Sequence, residues 1–266
     1  MNKNFYRYES FNAQHATYAL VDYFFKERLY LNTLNELNDP FEYMHSYKEL
    51  NDQIQKRNKL ISALEKNIKI NEKKLIKNPN DEILKNHILD LNNELLDRKN
   101  KKNKIEFDIN PHKRKIDYYF SRVKIKSFSA NFDNIKMWSL YASGHTGYCV
   151  EFDFEKLKFI NEFFYEVKYS QTRPSIIQIF KTGDFIKNMH VKSRDWSFEQ
   201  EKRLFLPGYN NNYIQCPKAL KTIYLGCQIK QRDKDLLLDY ASNLDVKIYS
   251  MVQNETNFKL DCKQIK

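Results

Sequence analysis

Glycine is scarce in these 266 residues: there are five, at positions 144, 147, 183, 208 and 226, whereas an average chain is about 7% glycine. No GxGxxG or GxxxxGK(S/T) spacing occurs, which excludes the glycine-rich phosphate cradles of dinucleotide-binding and P-loop folds. Any nucleotide bound here must be gripped by side chains and strand edges. The four cysteines, Cys149, Cys216, Cys227 and Cys262, contain no CxxC pair, so neither a zinc site nor a disulfide framework is indicated. No apolar run reaches the roughly 18 residues of a membrane span. Met1-Asn2-Lys3-Asn4, followed at once by Phe5-Tyr6-Arg7-Tyr8, lacks the apolar stretch of a signal peptide. The expectation is a soluble cytoplasmic protein in a reducing compartment, without membrane contact.

What the chain does have is aromatic residues and positive charge. With 41% hydrophobic residues, 18 Tyr and 19 Phe, it can bury one large core or a core with a satellite, and the aromatics favour strands packed against helices. Residues 48–108 differ. They are almost free of aromatics and carry two helical stripes, Leu50, Ile54, Ile61, Leu64, Ile68 and Leu75, then Ile83, Leu84, Ile88, Leu91, Leu95 and Leu96. Asn78-Pro79-Asn80-Asp81 breaks the pattern, with Asp81 placed to cap the second helix. This predicts a long αα-hairpin, inserted into an α+β domain made of residues 1–47 and 109–266. Residues 48–118 hold +6 of the net charge of +11. The run Arg98-Lys99-Asn100-Lys101-Lys102-Asn103-Lys104 reads either as a contact for nucleic acid or an acidic partner, or as a solvated helix face, the commoner origin of such runs. The apolar stripes also suit an oligomerisation surface.

Around the hairpin, strands are expected at 5–8, 29–32, 124–128, 147–154, 166–169, 203–206, 222–225, 246–252 and 258–262. Helices are expected at 13–28, 111–121, 137–142 and 230–243. Three constellations carry possible chemistry. Glu199 and Glu201 would share a face if their segment is extended, and like charges held close shift each other's pKa; a charged strand end compensated by Lys202 and Arg203 is the plainer alternative. Ser127 and Ser129 would also share a face, although serines ending a strand are usually structural. Arg7 lies between Tyr6 and Tyr8 and faces opposite to them.

These residues resemble two families. Tyr6-Arg7-Tyr8, Asn38-Asp39-Pro40-Phe41-Glu42, Met137-Trp138-Ser139-Leu140-Tyr141-Ala142 with Gly147, Trp196 to Arg203, and Ile223-Tyr224-Leu225-Gly226 together look like a widespread bacterial domain family of unknown function. More loosely, Arg7, then Ser127-Phe128-Ser129, then Glu199-Gln200-Glu201 before a hydrophobic strand, is similar to the three-part signature of ADP-ribosyltransferases. Here Phe128 replaces the threonine common in the serine motif, and the hairpin stretches the first spacing. That resemblance implies split β-sheets with NAD held in the cleft between them, as a substrate and without a phosphate loop or a metal. It implies Glu201 on the ribose hydroxyl, Glu199 on a protein or nucleic-acid acceptor, Arg7 on the pyrophosphate or ribose, and Ser127 or Ser129 at the nicotinamide end. Tyr141 and Trp138 would stack on the base. An effector of bacterial conflict, either an anti-phage factor or a toxin, fits such an activity. The rival readings are a metal-dependent nuclease using Asp39 with Gln200-Glu201-Lys202, and a non-catalytic module that binds through the basic hairpin.

Overall fold

The structure is a computed structural model that describes residues 5–12, 16–42, 46, 48–155, 163–176 and 190–265. The chain divides into two compact units. One comprises Met1–Tyr43, Tyr119–Thr172 and Met189–Lys266; the other comprises Met44–Tyr118 and Arg173–Asn188.

The first unit is α+β. Its strands are β1 (Phe5–Glu9), β2 (Arg28–Tyr30), β3 (Val123–Ser129), β4 (Tyr148–Phe152), β5 (Phe164–Glu166), β6 (Lys168–Ser170), β7 (Val191–Ser193), β8 (Glu201–Pro207), β9 (Tyr213–Gln215), β10 (Leu220–Leu225), β11 (Lys247–Gln253) and β12 (Leu260–Gln264). Eight of them form a mixed sheet in the order β12-β11-β10-β4-β1-β3-β8-β5, while β2-β9 and β6-β7 make separate pairs. Among the described residues, only β10 and β11 run parallel within the large sheet. The sheet is weakest in its middle, because β1 meets β3 at a single register position, Tyr6 opposite Ser129. By contrast β1 pairs β4 at five positions and β3 pairs β8 at seven. Beyond Tyr6 the two central strands part company, and the Arg7 guanidinium fills part of the gap by donating from Nη1 to the Ser127 carbonyl at 3.2 Å.

Two apolar layers cover this sheet. On one face α1 (Ala16–Phe24) supplies Leu20, Tyr23 and Phe24, and α5 (Gln231–Tyr240) supplies Leu237, against Phe128, Val150, Phe152, Leu204 and Ile223. On the other, α4 (Ile135–Tyr141) sets Met137 and Trp138 against Tyr6, Tyr8, Cys149 and Tyr224. The alternation of β1 thus sends Tyr6 and Tyr8 to the α4 side and Phe5 to the α1 side.

The second unit is built on α2 (Lys48–Lys77) and α3 (Glu82–Ser121). Asp81 caps α3, its Oδ1 accepting from the Leu84 N–H at 2.9 Å. Lys99 Nζ reaches Glu65 at 2.8 Å and Arg57 donates to the Lys101 carbonyl at 3.1 Å, so the two helices are tied side to side. The first stripe is buried or half-buried throughout, whereas Ile83 and Leu96 of the second are 84% and 60% exposed and sit one position off the inward face.

Several expected boundaries move. The helix ending the hairpin and the one expected at 111–121 are a single helix of 40 residues that continues through Pro111, at the cost of one backbone donor. The expected helix at 13–28 spans Ala16–Phe24 in the structure, and residues 13–15 lie outside the described part. The strand expected at 166–169 is two strands with different partners, β5 on β8 and β6 on β7. The last strand starts at Leu260, leaving Phe258 fully exposed in the preceding turn. The four thiols are all free. Among the described residues no helix is long and apolar enough to cross a membrane.

Candidate active site

The α4-side edge of the central gap opens into a cavity of about 210 Å³, whose lining includes Arg7, Ser127, Ser129, Tyr141, Glu199 and Glu201. Six of the seven residues singled out from the sequence therefore meet in one place. Trp138, the seventh, does not. It is fully buried against Tyr8, edge to face at 5.3 Å, and its indole N–H donates to the Phe132 carbonyl at 2.7 Å. It is a core aromatic that anchors α4, a correction to its expected stacking role.

Local geometry explains how the two glutamates come together, and the explanation differs from the alternation expected of an extended segment. Glu199 ends a 3-10 turn over Arg194–Glu199, Glu201 begins β8, and Gln200 between them has a left-handed φ of 44°. Left-handed backbone is unfavourable for a residue with a Cβ and tends to persist where the surroundings impose it. Here Gln200 is held on both sides: its carbonyl accepts from Ala130 N at 3.0 Å, and its side-chain oxygen accepts from Asn131 Nδ2 at 2.8 Å. Ser129 Oγ donates to the Glu199 carbonyl at 2.8 Å, fixing the turn to β3. Asn134 caps α4 with its Oδ1 and donates from Nδ2 to the Phe198 carbonyl at 2.6 Å, so α4 and the turn are set as one piece.

The carboxylates are embedded in a buried charge network. Lys192 Nζ lies 2.6 Å from Glu199, 3.0 Å from Glu42 and 3.3 Å from Glu201. Arg203 holds both oxygens of Glu201, at 2.5 and 2.8 Å, and reaches Glu42 at 2.7 Å. Tyr141 donates to Glu199 at 2.5 Å and accepts from Asn38 Nδ2 at 3.1 Å.

The two glutamates are pushed apart electrostatically. Burial alone would raise Glu201, but the Arg203 guanidinium and then Lys192, with a hydrogen bond from Ser127, hold it well below the usual carboxylate range. Burial dominates at Glu199 and keeps its pKa raised in spite of Lys192 and Tyr141. Lys192 is raised, since the three surrounding carboxylates outweigh its desolvation. Neighbouring carboxyls with divergent pKa values are the arrangement that lets one stay ionised while the other exchanges a proton.

Lys192 and Glu42 are network members that no sequence signal marks as such. Lys192 is one lysine in a lysine-rich chain, on a three-residue strand with no pattern around it. Glu42 stands within a quoted motif without a role, whereas Arg203, the compensating charge of the plainer alternative, does pair Glu201, in a buried rather than an exposed setting. Of the residues in the rival pairing, Asp39 Oδ1 accepts from Phe41 N within its own turn, and Lys202 alternates to the opposite face of β8 from Glu201, near the Phe5 ring. The basic run on α3 is largely spoken for, with Arg98 on Glu94, Lys99 on Glu65 and Lys101 on Asp97.

Residues 137–204, which span α4 through the first half of β8 and so carry Tyr141, Lys192, Glu199 and Glu201, match a family described as a protein of unknown function (DUF2971). No curated protein and no solved structure gives a significant match.

Proposed function

We propose that this protein is an NAD-dependent ADP-ribosyltransferase. The observation that carries the reading is the convergence of Arg7, Ser127, Ser129, Glu199 and Glu201 on one cavity, from three separate stretches of chain, with the two glutamates in opposite electrostatic states. β1 and β3 belong to one eight-stranded sheet yet meet at a single register position, and that narrow join is the nearest feature to the split sheets the resemblance implies.

In the proposed reaction the bond between the nicotinamide ring nitrogen and the ribose anomeric carbon breaks. Nicotinamide leaves as a neutral molecule with the bonding pair, and positive charge develops on the ribose as in glycoside hydrolysis. Glu201, held ionised, stabilises that charge more in the transition state than in the neutral sugar, which is what lowers a barrier. The acceptor's hydroxyl, amine or guanidine nitrogen bonds to the anomeric carbon, and its proton passes to Glu199. Ser127 orients Glu201, Ser129 orients the turn behind Glu199, and Arg7 offers its guanidinium to the phosphates.

Incubation of the protein with NAD labelled in the adenylate half, together with protein and nucleic-acid acceptors, tests this reading. Label transfer by the intact chain that is lost in Glu199→Gln, while nicotinamide release continues, is the expected outcome. Absence of both release and transfer from the intact chain across all acceptors would sink it.

A further inference from the structure

A second cavity, about 370 Å³, adjoins Arg7, Asn32 and Glu36, which also line the first, and is otherwise separate. Its acids already have partners. Glu9 accepts from Arg7 Nε at 2.9 Å and from the Tyr23 hydroxyl at 2.6 Å, Asp22 from Arg28 Nε at 2.8 Å, and Glu36 from the Tyr30 hydroxyl at 3.0 Å and Thr33 N at 2.9 Å.

Lys126 is the exception. It lines this cavity from β3 and is only 5% exposed, yet among the described residues its ammonium has no hydrogen bond and no carboxylate within ion-pair distance. The centre of the Tyr23 ring lies 6.0 Å from its Nζ. A lysine buried without a counter-ion is costly, and the charged form is disfavoured accordingly. Burial, then Arg7, pushes its pKa down to about 7, with Glu9, Asp22 and Cys216 offsetting only part. Beside it, Tyr18, Tyr30 and Tyr213 supply ring surface.

We propose that this cavity binds a nucleoside phosphate, with the phosphate on Lys126 and the flat ring against the tyrosines. The cavity, the unpaired buried cation and the aromatic wall each call for one part of such a ligand: an anion of modest size attached to a planar group. The inference does not depend on the transferase reading. The same chemistry arrives either as the adenylate half of NAD or as a free nucleotide.

Calorimetric titration with ADP, adenosine, inorganic phosphate and NAD tests it, because ADP binds without offering a bond for the first cavity to break. ADP is expected to bind at least about tenfold more tightly than adenosine or phosphate. Lys126→Met should weaken ADP at least about tenfold while the ligand-free variant melts no lower than the parent. Lys126→Gln serves if the methionine variant does not fold. Because the anion selects the ammonium form, ADP affinity should fall as pH rises above 7 in the parent, more steeply than in the variant. Mutual displacement of ADP and NAD supports the dinucleotide as source, and independent binding supports a free nucleotide. Unchanged ADP affinity in the Lys126 variants, no ADP binding at millimolar concentration, or phosphate binding as tightly as ADP would each overturn the proposal.

Discussion

Residue by residue, the buried charges of the site have their states set by their neighbours. Lys192 holds three carboxylates together, so Lys192→Met leaves Glu42 and Glu201 with Arg203 and Glu199 with the Tyr141 hydroxyl. Removing one partner of a buried ionic network typically costs about 3–5 kcal/mol, and denaturant unfolding of this variant should show a loss of that order. Glu201 has a depressed pKa, so the stability it contributes is fully present above its unfolded value and is lost as pH falls through the folded one. Lys126 works in the opposite sense. Its pKa is lowered from 10.5 to about 7, the unfolded chain therefore binds more protons between those values, and stability should rise with pH across that window. Subtracting the Lys126→Met profile from the parent profile isolates the effect; a flat difference would contradict the burial argument.

Elements decide whether these residues meet. The left-handed Gln200 is the joint between the 3-10 turn and β8, and a β-branched side chain there opposes the required φ. Gln200→Val should lower the melting temperature by several degrees, and nicotinamide release with it, whereas Gln200→Gly should keep the fold. Glycine scarcity also acquires a meaning here. A Cβ on Gly147 would come within 2.1 Å of the Glu9 carbonyl oxygen, and one on Gly226 within 2.1 Å of the His145 carbonyl oxygen. Two of the few glycines are thus fixed by backbone packing around β4 and β10, and alanine at either should destabilise strongly, by more than about 2 kcal/mol in denaturant unfolding.

Much at this scale was legible beforehand. The β1 alternation of Tyr6 and Tyr8 against Arg7, the Asp81 cap and the first apolar stripe all follow from short-range periodicity. What escaped reading is what depends on distant partners. Strand β7, which carries Lys192, is three residues long and gains its meaning only from β6 beside it. The convergence of Glu199 and Glu201 looked like simple alternation, but it is produced by a strained residue whose supports, Ala130 and Asn131, lie about 70 positions away.

For the whole molecule, the charge of +11 first suggests an affinity for polyanions, and more than half of it lies between residues 48 and 118. The ion pairs along α2 and α3 set acids beside Lys85, Arg98, Lys99 and Lys101, so the net +6, which pairing leaves unchanged, is interleaved with negative charge. Titration of the intact protein with a labelled duplex near physiological salt should therefore give no tighter than the roughly 10⁻⁴ to 10⁻⁶ M typical of non-specific contact. Function on this account resides in the gap between β1 and β3, where side chains take the place of a glycine loop. The most direct test is the rate of nicotinamide release from NAD by the parent and by Glu201→Gln, each first shown to be folded by its melting transition. Ser127→Ala serves as a milder second variant. Release by the parent that falls about 10² to 10³-fold in Glu201→Gln is the predicted result. Equal rates in the two proteins, or no release by the parent even at stoichiometric concentration, would contradict the central claim.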